Sequence, residues 1–407
     1  MSNSSAQGAK ATPRVTEIDI SALGFKKIRT SWIRNELVVG LFGFSFYVGI
    51  MSAVGFPVLG IQLPEFAGAT LALLSLGYLL VLLVKGLRRG FGNVRSLGKE
   101  AGQASTMLVP YIGVPLGKAK ERIERYFAAS GAPAKVAASP RAAARSLGYL
   151  LGAIALGGVA LFAGVLAGQA AGRLGPLAVG GVAGAFILLL LRRGAMSAQP
   201  SATDVLVSDQ RPPILLLRAF TDDTLIVDQR VKVLVDMNAA IRLEEAMAAS
   251  LSAYGPFVAI GAPDEPLPQL GAARAYLGKD EWQEAVQRWI GAARFIVMVV
   301  GVTEWLRWEL KQIVARQRVG DLILVLPPPQ VAVDQAGLKQ RWDNAVTSFA
   351  STPWHDALRD VPVVRTLALS LRPDGTVLAV TGSGRLMQDY ETATLVLLYA
   401  RFCQGQR

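Results

Sequence analysis

The sequence predicts two fold classes in one chain. One is an α-helical membrane region of four transmembrane helices over residues 37–196. The other is an α/β domain with a mainly parallel sheet over residues 197–407. Three observations predict this division. Four apolar runs, each close to the ~20 residues that cross a hydrocarbon core as a helix, lie before residue 197 and contain no charged residue. After it, short apolar runs alternate with amphipathic stretches. The charge is also uneven: residues 1–196 hold 21 basic and 7 acidic residues, a net +14, whereas residues 197–407 hold 21 and 23, a net −2. The whole 407-residue chain is 52% hydrophobic, 18% charged and +12, so the basic excess lies beside the apolar runs. That position assigns the charge to membrane topology and excludes a nucleic-acid partner.

The elements follow in order. Residues 1–36 read as a cytoplasmic leader, largely disordered, with Met1–Pro13 rich in Ser, Ala and Gly. The spans are Leu37–Leu59, Phe66–Val84, Leu147–Gly168 and Leu174–Leu191. Helices of a soluble core usually keep one polar stripe, and these runs are apolar all round. Six basic residues stand in the leader and twelve in segment 85–146, Arg192 and Arg193 follow the fourth run, and the two remaining connections share only Arg173. The positive-inside rule then predicts a multi-pass inner-membrane protein with both termini in the cytoplasm. Gly148 and Gly152, and Gly164 and Gly168, have small-xxx-small spacing, which serves either oligomerisation or packing within one chain. The absence of ionisable residues inside the runs argues against a transporter or channel. Within segment 85–146, Gly117–Gly131 is a basic helical stretch with Ile123, Tyr126 and Phe127 on one face. It reads equally as a helix on the anionic inner leaflet or as a solvated connector.

In the second region Ile214–Phe220 reads as a buried strand closed by Thr221, Asp222 and Asp223, and Asn238–Tyr254 as a helix. Phe257–Ile260, Phe295–Val300 and Leu322–Leu326 read as further strands. The helices between and after them are Asp280–Ala293, Glu304–Gln317, Lys339–Ala350 and Gln388–Phe402. Ala368–Leu371 and Thr376–Val380 flank Pro373-Asp374-Gly375 as a strand pair across a turn. Continuous apolar strands alternating with helices indicate a parallel sheet covered on both faces. Ligands of such sheets sit beyond the carboxyl ends of the strands, which directs attention to the loops after Phe220, Ile260, Val300 and Leu326.

Several chemistries are excluded or weakened. One cysteine cannot form a disulfide framework, and one histidine rules out a site of several imidazoles, so no metal is expected. Gly382-Ser383-Gly384 lacks the flanking pattern of a phosphate loop. His355 reads as a capping or surface residue and Cys403 as a buried apolar one.

The run Trp282–Val314 (WQEAVQRWIGAARFIVMVVGVTEWLRWELKQIV) resembles the middle of a Toll/interleukin-receptor (TIR) domain. A helix with a Trp-based stripe leads into an apolar strand, a short Thr-containing loop, and a helix with a W-x-x-E-L-like motif. Leu215–Asp223 (LLLRAFTDD) is similar to that family's opening strand and acidic loop. The sequence departs from the family at Arg218 and Ala219, in a longer stretch before the first helix, and in a tail from Val363. The resemblance implies a flavodoxin/TIR-like sheet, self-association through the domain, and cleavage of the nicotinamide–ribose bond of NAD without a cofactor. It implies Glu309 as the catalytic carboxylate, and a substrate site drawn from Phe220, Asp222, Asp223, Thr303, Trp305 and Trp308. Read without it, Glu309 is a solvated helix residue paired with Arg307 or Lys311, and Asp222 and Asp223 form a cap or turn. The expected function is therefore a membrane-bound signalling or effector protein acting by self-association, with NAD as candidate substrate. The alternative is a non-catalytic membrane adaptor that uses the same domain for protein contacts. The proline-rich stretch Gly261–Gly271 is the expected self-association surface.

Overall fold

The computed structural model describes residues 14–21, 108–109, 111–129, 131, 140–171, 174–227, 242–261, 267–278, 281–328 and 334–404. Its centre is an eight-stranded mixed sheet. The strands are β1 (Val15–Asp19), β4 (Ile214–Leu217), β5 (Phe257–Ile260), β6 (Ala273–Ala275), β7 (Phe295–Val299), β8 (Leu322–Val325), β9 (Thr366–Leu371) and β10 (Val377–Thr381). They run in the order β1-β10-β9-β8-β7-β4-β5-β6. Two short strands, β2 (Leu108–Val109) and β3 (Val114–Pro115), form a separate antiparallel pair.

Strands β4, β7 and β8 bury every residue, as parallel strands covered on both faces do. The helices are α1 (Leu116–Ala128), α2 (Pro140–Ala171), α3 (Leu174–Ser197), α4 (Ala202–Ser208), α5 (Leu243–Leu251), α6 (Trp282–Ala292), α7 (Glu304–Ala315), α8 (Gln335–Thr347), α9 (His355–Arg359) and α10 (Met387–Phe402). Helices α1, α5 and α10 pack together, and α6, α7 and α8 pack in succession. The expected helices are thus present with shifted ends. Asn238 and Ile241 of the first lie outside the described residues.

The expected fold class needs correction in both halves. The described residues contain one helix long and apolar enough to cross a membrane, Ala142–Gly164 within α2, and not four. The runs Leu37–Leu59 and Phe66–Val84 lie outside the described residues. The run Leu174–Leu191 falls in α3, which packs against α2 and continues through Arg192 and Arg193 to Ser197. Length and apolarity alone cannot count spans, because packed helices satisfy the same composition.

The sheet, secondly, is mixed and not flavodoxin-like. Strands β8, β7, β4, β5 and β6 are parallel. Numbered along the chain, these five lie in the order 3-2-1-4-5, whereas a flavodoxin-like sheet runs 2-1-3-4-5. Strand β9 then enters antiparallel to β8, β10 antiparallel to β9, and β1 parallel to β10. The Pro373-Asp374-Gly375 turn is formed as expected, with Gly375 at φ 83°, a left-handed conformation that glycine adopts without a Cβ clash. A hairpin is antiparallel by necessity, and docking it on β8 makes the whole sheet mixed.

Two further segments belong to this core. The leader contributes β1, whose Ile18 is buried together with Ile20, so residues 1–36 are not wholly a disordered arm. Helix α1 is neither a leaflet-bound helix nor a solvated connector. Its Ile123 and Phe127 are buried, and Phe127 packs its ring against Tyr254, Phe295 and Phe402 at centroid distances of 5.2, 6.2 and 5.3 Å. The same amphipathic face that suits a membrane surface suits a sheet.

Candidate functional site

The chain leaves β4 toward β5 and β6 on one side, then returns to place β7 on the other. In open α/β sheets such a reversal is the usual ligand position, and here it falls at the carboxyl ends of β4 and β7. Two segments follow these ends. A 3-10 turn, Phe220–Thr224, follows β4. Helix α7 follows β7, with Thr303 as its N-cap accepting a hydrogen bond from the Leu306 amide at 3.4 Å.

Glu309 lies in the second turn of α7. Leu306, Leu310 and Ile313 face the sheet, and Glu309 is buried beside them. Neither Arg307 nor Lys311 neutralises it: Arg307 donates to Asn344 Oδ1 at 3.1 Å instead. Among the described residues nothing donates a hydrogen bond to the Glu309 carboxylate. Burial pushes its carboxyl up to about 8, and the Arg218 guanidinium opposes that rise. A buried acid at a strand end with so raised a pKa is a candidate functional group.

Trp305 and Trp308 share helix α7 with Glu309. Trp305 is 58% exposed, and Phe220 and Val302 are also exposed along this edge. Trp305 and Trp308 both make edge-to-face contacts with Trp282 of α6, at 4.9 and 5.2 Å between centroids. Trp282, Trp305 and Trp308 therefore form a cluster between α6 and α7, with Trp305 as its exposed ring.

Asp222 and Asp223 are not free to meet a ligand. Asp222 takes a two-pronged ion pair from Arg341 of α8, both contacts at 2.9 Å, while Arg341 also donates to the Val300 carbonyl at 3.2 Å. Asn344, on the same helix, donates to the Gly301 carbonyl at 3.0 Å. Helix α8 thus ties the loops after β4 and β7 together. Asp223 pairs with Arg218 at 2.6 Å. Arg218 in turn binds Glu244 at 2.8 Å, and Glu244 also binds Arg274 at 3.0 Å. The Ala272 amide donates to Glu244 at 2.9 Å. That approach needs Gly271, at φ 137°, since a Cβ there would lie 2.7 Å from Glu244 Cγ.

The structure brings Glu309, Phe220, Thr303, Trp305 and Trp308 to one edge and assigns Asp222 and Asp223 to ion pairs. Sequence reasoning missed Glu244, Arg274, Arg341 and Asn344. Each lies far along the chain from its partner, and only Arg218, as a charged residue ending an apolar strand, left a signal. Residues 262–266 of the Gly261–Gly271 stretch lie outside the described residues. Among the described residues no cluster of three His, Cys, Asp or Glu side chains is arranged to hold a metal ion. No protein-family model matches the chain, and neither a curated protein nor a solved structure does.

Proposed function

We propose that the chain is a membrane-anchored hydrolase that cleaves the nicotinamide–ribose bond of NAD at the carboxyl ends of β4 and β7, with Glu309 as the acting carboxylate. The observation that carries this reading is the burial of the Glu309 carboxylate, without a hydrogen bond among the described residues, one helical turn from the exposed Trp305. The substrate class rests on the sequence resemblance of Trp282–Val314 to TIR domains alone, since the sheet departs from the one that resemblance implies. The 3-10 turn after β4 carries no glycine-rich phosphate loop, so a dinucleotide would be held by its rings and ribose and not by a pyrophosphate cradle.

The chemistry asks little of the protein. The C1′–N bond breaks with its electron pair on the nicotinamide, which departs as a neutral ring. Water adds to the oxocarbenium carbon and releases a proton. An ionised Glu309 stabilises the cationic carbon, and Trp305 supplies a face for an aromatic ring. A cationic substrate favours the ionised form of a buried acid, so binding itself draws Glu309 into its working state.

Anchoring is supported by α2. Outward-facing Phe162 and Val159 are 69% and 64% exposed, and Leu147, Leu151, Ile154 and Leu166 are exposed as well. Apolar surface of this extent marks a lipid or protein contact.

The test is nicotinamide release by the full chain in lipid vesicles at rising protein density, with Glu309→Gln alongside. Release that the substitution abolishes supports the reading. A second reading, the adaptor acting by self-association, is favoured by exposed Phe220, Val302 and Trp305. It is selected if no density yields nicotinamide and the chain still self-associates.

A further inference from the structure

We propose that the α2–α3 hairpin controls the strand-end site through α5, whose adjacent residues Glu245 and Glu244 are held by the hairpin and by the site respectively. The proposal rests on the functional reading above for the identity of that site.

Arg192, in the last turns of α3, donates to Glu245 at 2.6 Å, and both side chains are less than one-fifth exposed. The next residue back, Glu244, takes Arg218 at 2.8 Å and Arg274 at 3.0 Å. Arg218 continues to Asp223 at 2.6 Å, in the 3-10 turn that carries Phe220. Its charge also acts on Glu309. The route from hairpin to site therefore crosses a single peptide bond within α5.

A second connection reaches the same cluster. Ser201, just beyond the end of α3, forms a parallel bridge with Arg274 and caps α4. Both links from the hairpin therefore end on partners of Glu244 or on its neighbour.

Rigidity makes the links mechanical. Gly194 lies so close to α2 that a Cβ there would sit 3.3 Å from Tyr149 Cβ and 3.4 Å from the Ser146 carbonyl. The two hairpin helices are thus packed tightly at their base. Helix α5 spans nine residues and buries Ala246, Met247 and Leu251 in the core. Successive side chains on a helix point about 100° apart. A tilt of α5 that follows Arg192 consequently displaces Glu244 against Arg218 and Arg274. Interfaces packed in this way switch between arrangements instead of deforming smoothly.

The experiment is hydrogen exchange on the full chain in lipid nanodiscs, comparing wild type, Arg192→Gln, Glu245→Gln and the swap Arg192→Glu/Glu245→Arg, with nicotinamide release measured in parallel. Either single substitution is expected to speed exchange roughly tenfold in residues 218–225 and 272–275, leaving β9 and β10 at the wild-type rate. The swap is expected to restore protection. Unchanged exchange in both segments overturns the proposal, as does a rise spread evenly over the sheet or a swap that restores nothing. Because exchange does not depend on turnover, a wild-type chain that releases no nicotinamide defeats the functional reading and leaves the coupling decided by exchange alone.

Discussion

Asp222 and Glu309 lie at the same edge of the sheet and are buried to nearly the same degree, 6% and 8% exposed, yet their surroundings differ in kind. The loop after β4 holds Asp222 in a two-pronged pair with Arg341. The second turn of α7 leaves Glu309 with burial as its main influence, opposed among the described residues by the Arg218 charge. The difference separates two uses of a carboxylate. A paired acid ties segments together and is spent structurally. An unpaired buried acid costs stability when ionised and is therefore the one available for chemistry.

The largest expected effect breaks the paired side of this comparison. Arg341→Ala strands Asp222 as an uncompensated buried charge, and loss of one partner from such a pair typically costs about 3–5 kcal/mol. Urea denaturation checks this, and a loss under about 1 kcal/mol would show that Asp222 is not held as described.

The next effect has the opposite sign. The folded-state pKa of Glu309 is raised above its ordinary 4.5 to about 8, so the folded protein holds this proton more tightly than the unfolded chain. Stability is then full below about 4.5 and falls as pH rises toward about 8. Glu245 and Glu391, both raised to about 7 by burial, add to the fall over the lower part of that window. Glu309→Gln is expected to remove this residue's share of the fall from about 4.5 to 8, which is the whole of it above about 7, and to stabilise the fold at pH 8 by on the order of a few kcal/mol. Thermal unfolding from pH 5 to 9 measures it. A Glu309→Gln profile parallel to wild type contradicts the burial argument. Turnover of the wild type, by the same titration, rises through about pH 8.

The smallest effect tests the contrast between the sheet and the hairpin. Leu151→Ala in α2 removes an exposed side chain and is expected to change urea stability of the α/β core by less than about 0.5 kcal/mol. Leu324→Ala in β8, fully buried, is expected to cost about 2–5 kcal/mol. Equal losses would show that the hairpin is part of the folded core.

How far the fold was legible follows from what each signal measures. Runs such as Phe295–Val299 and Leu322–Val325 are read correctly because a strand buried on both faces requires an unbroken apolar sequence. Helix α7 is legible from the spacing of Leu306, Leu310 and Ile313. β1 is harder to read, since only Ile18 and Ile20 alternate with polar neighbours and its pairing partner is β10, more than three hundred residues away. Helix α1 misleads because Ile123 and Phe127 define an apolar face without saying what covers it. At the site, Glu309 and Trp305 share a helix and are read together. Arg341 and Glu244 are invisible, because nothing local marks an arginine or glutamate for a partner on another element.

What the sequence determined by itself is therefore local: the strands and helices of the second region, the hairpin turn at Gly375, the apolarity of α2, and the placing of Glu309 one turn beyond Trp305. These depend on periodicity and on conformational preferences carried within a few residues. Tertiary structure decided the sheet order, the antiparallel entry of β9, the capture of β1 and α1, and which edge carboxylates meet an arginine among the described residues. Those outcomes depend on which groups meet after the chain has closed long loops and on which charges are thereby removed from water. Neither quantity is written in any short stretch of residues.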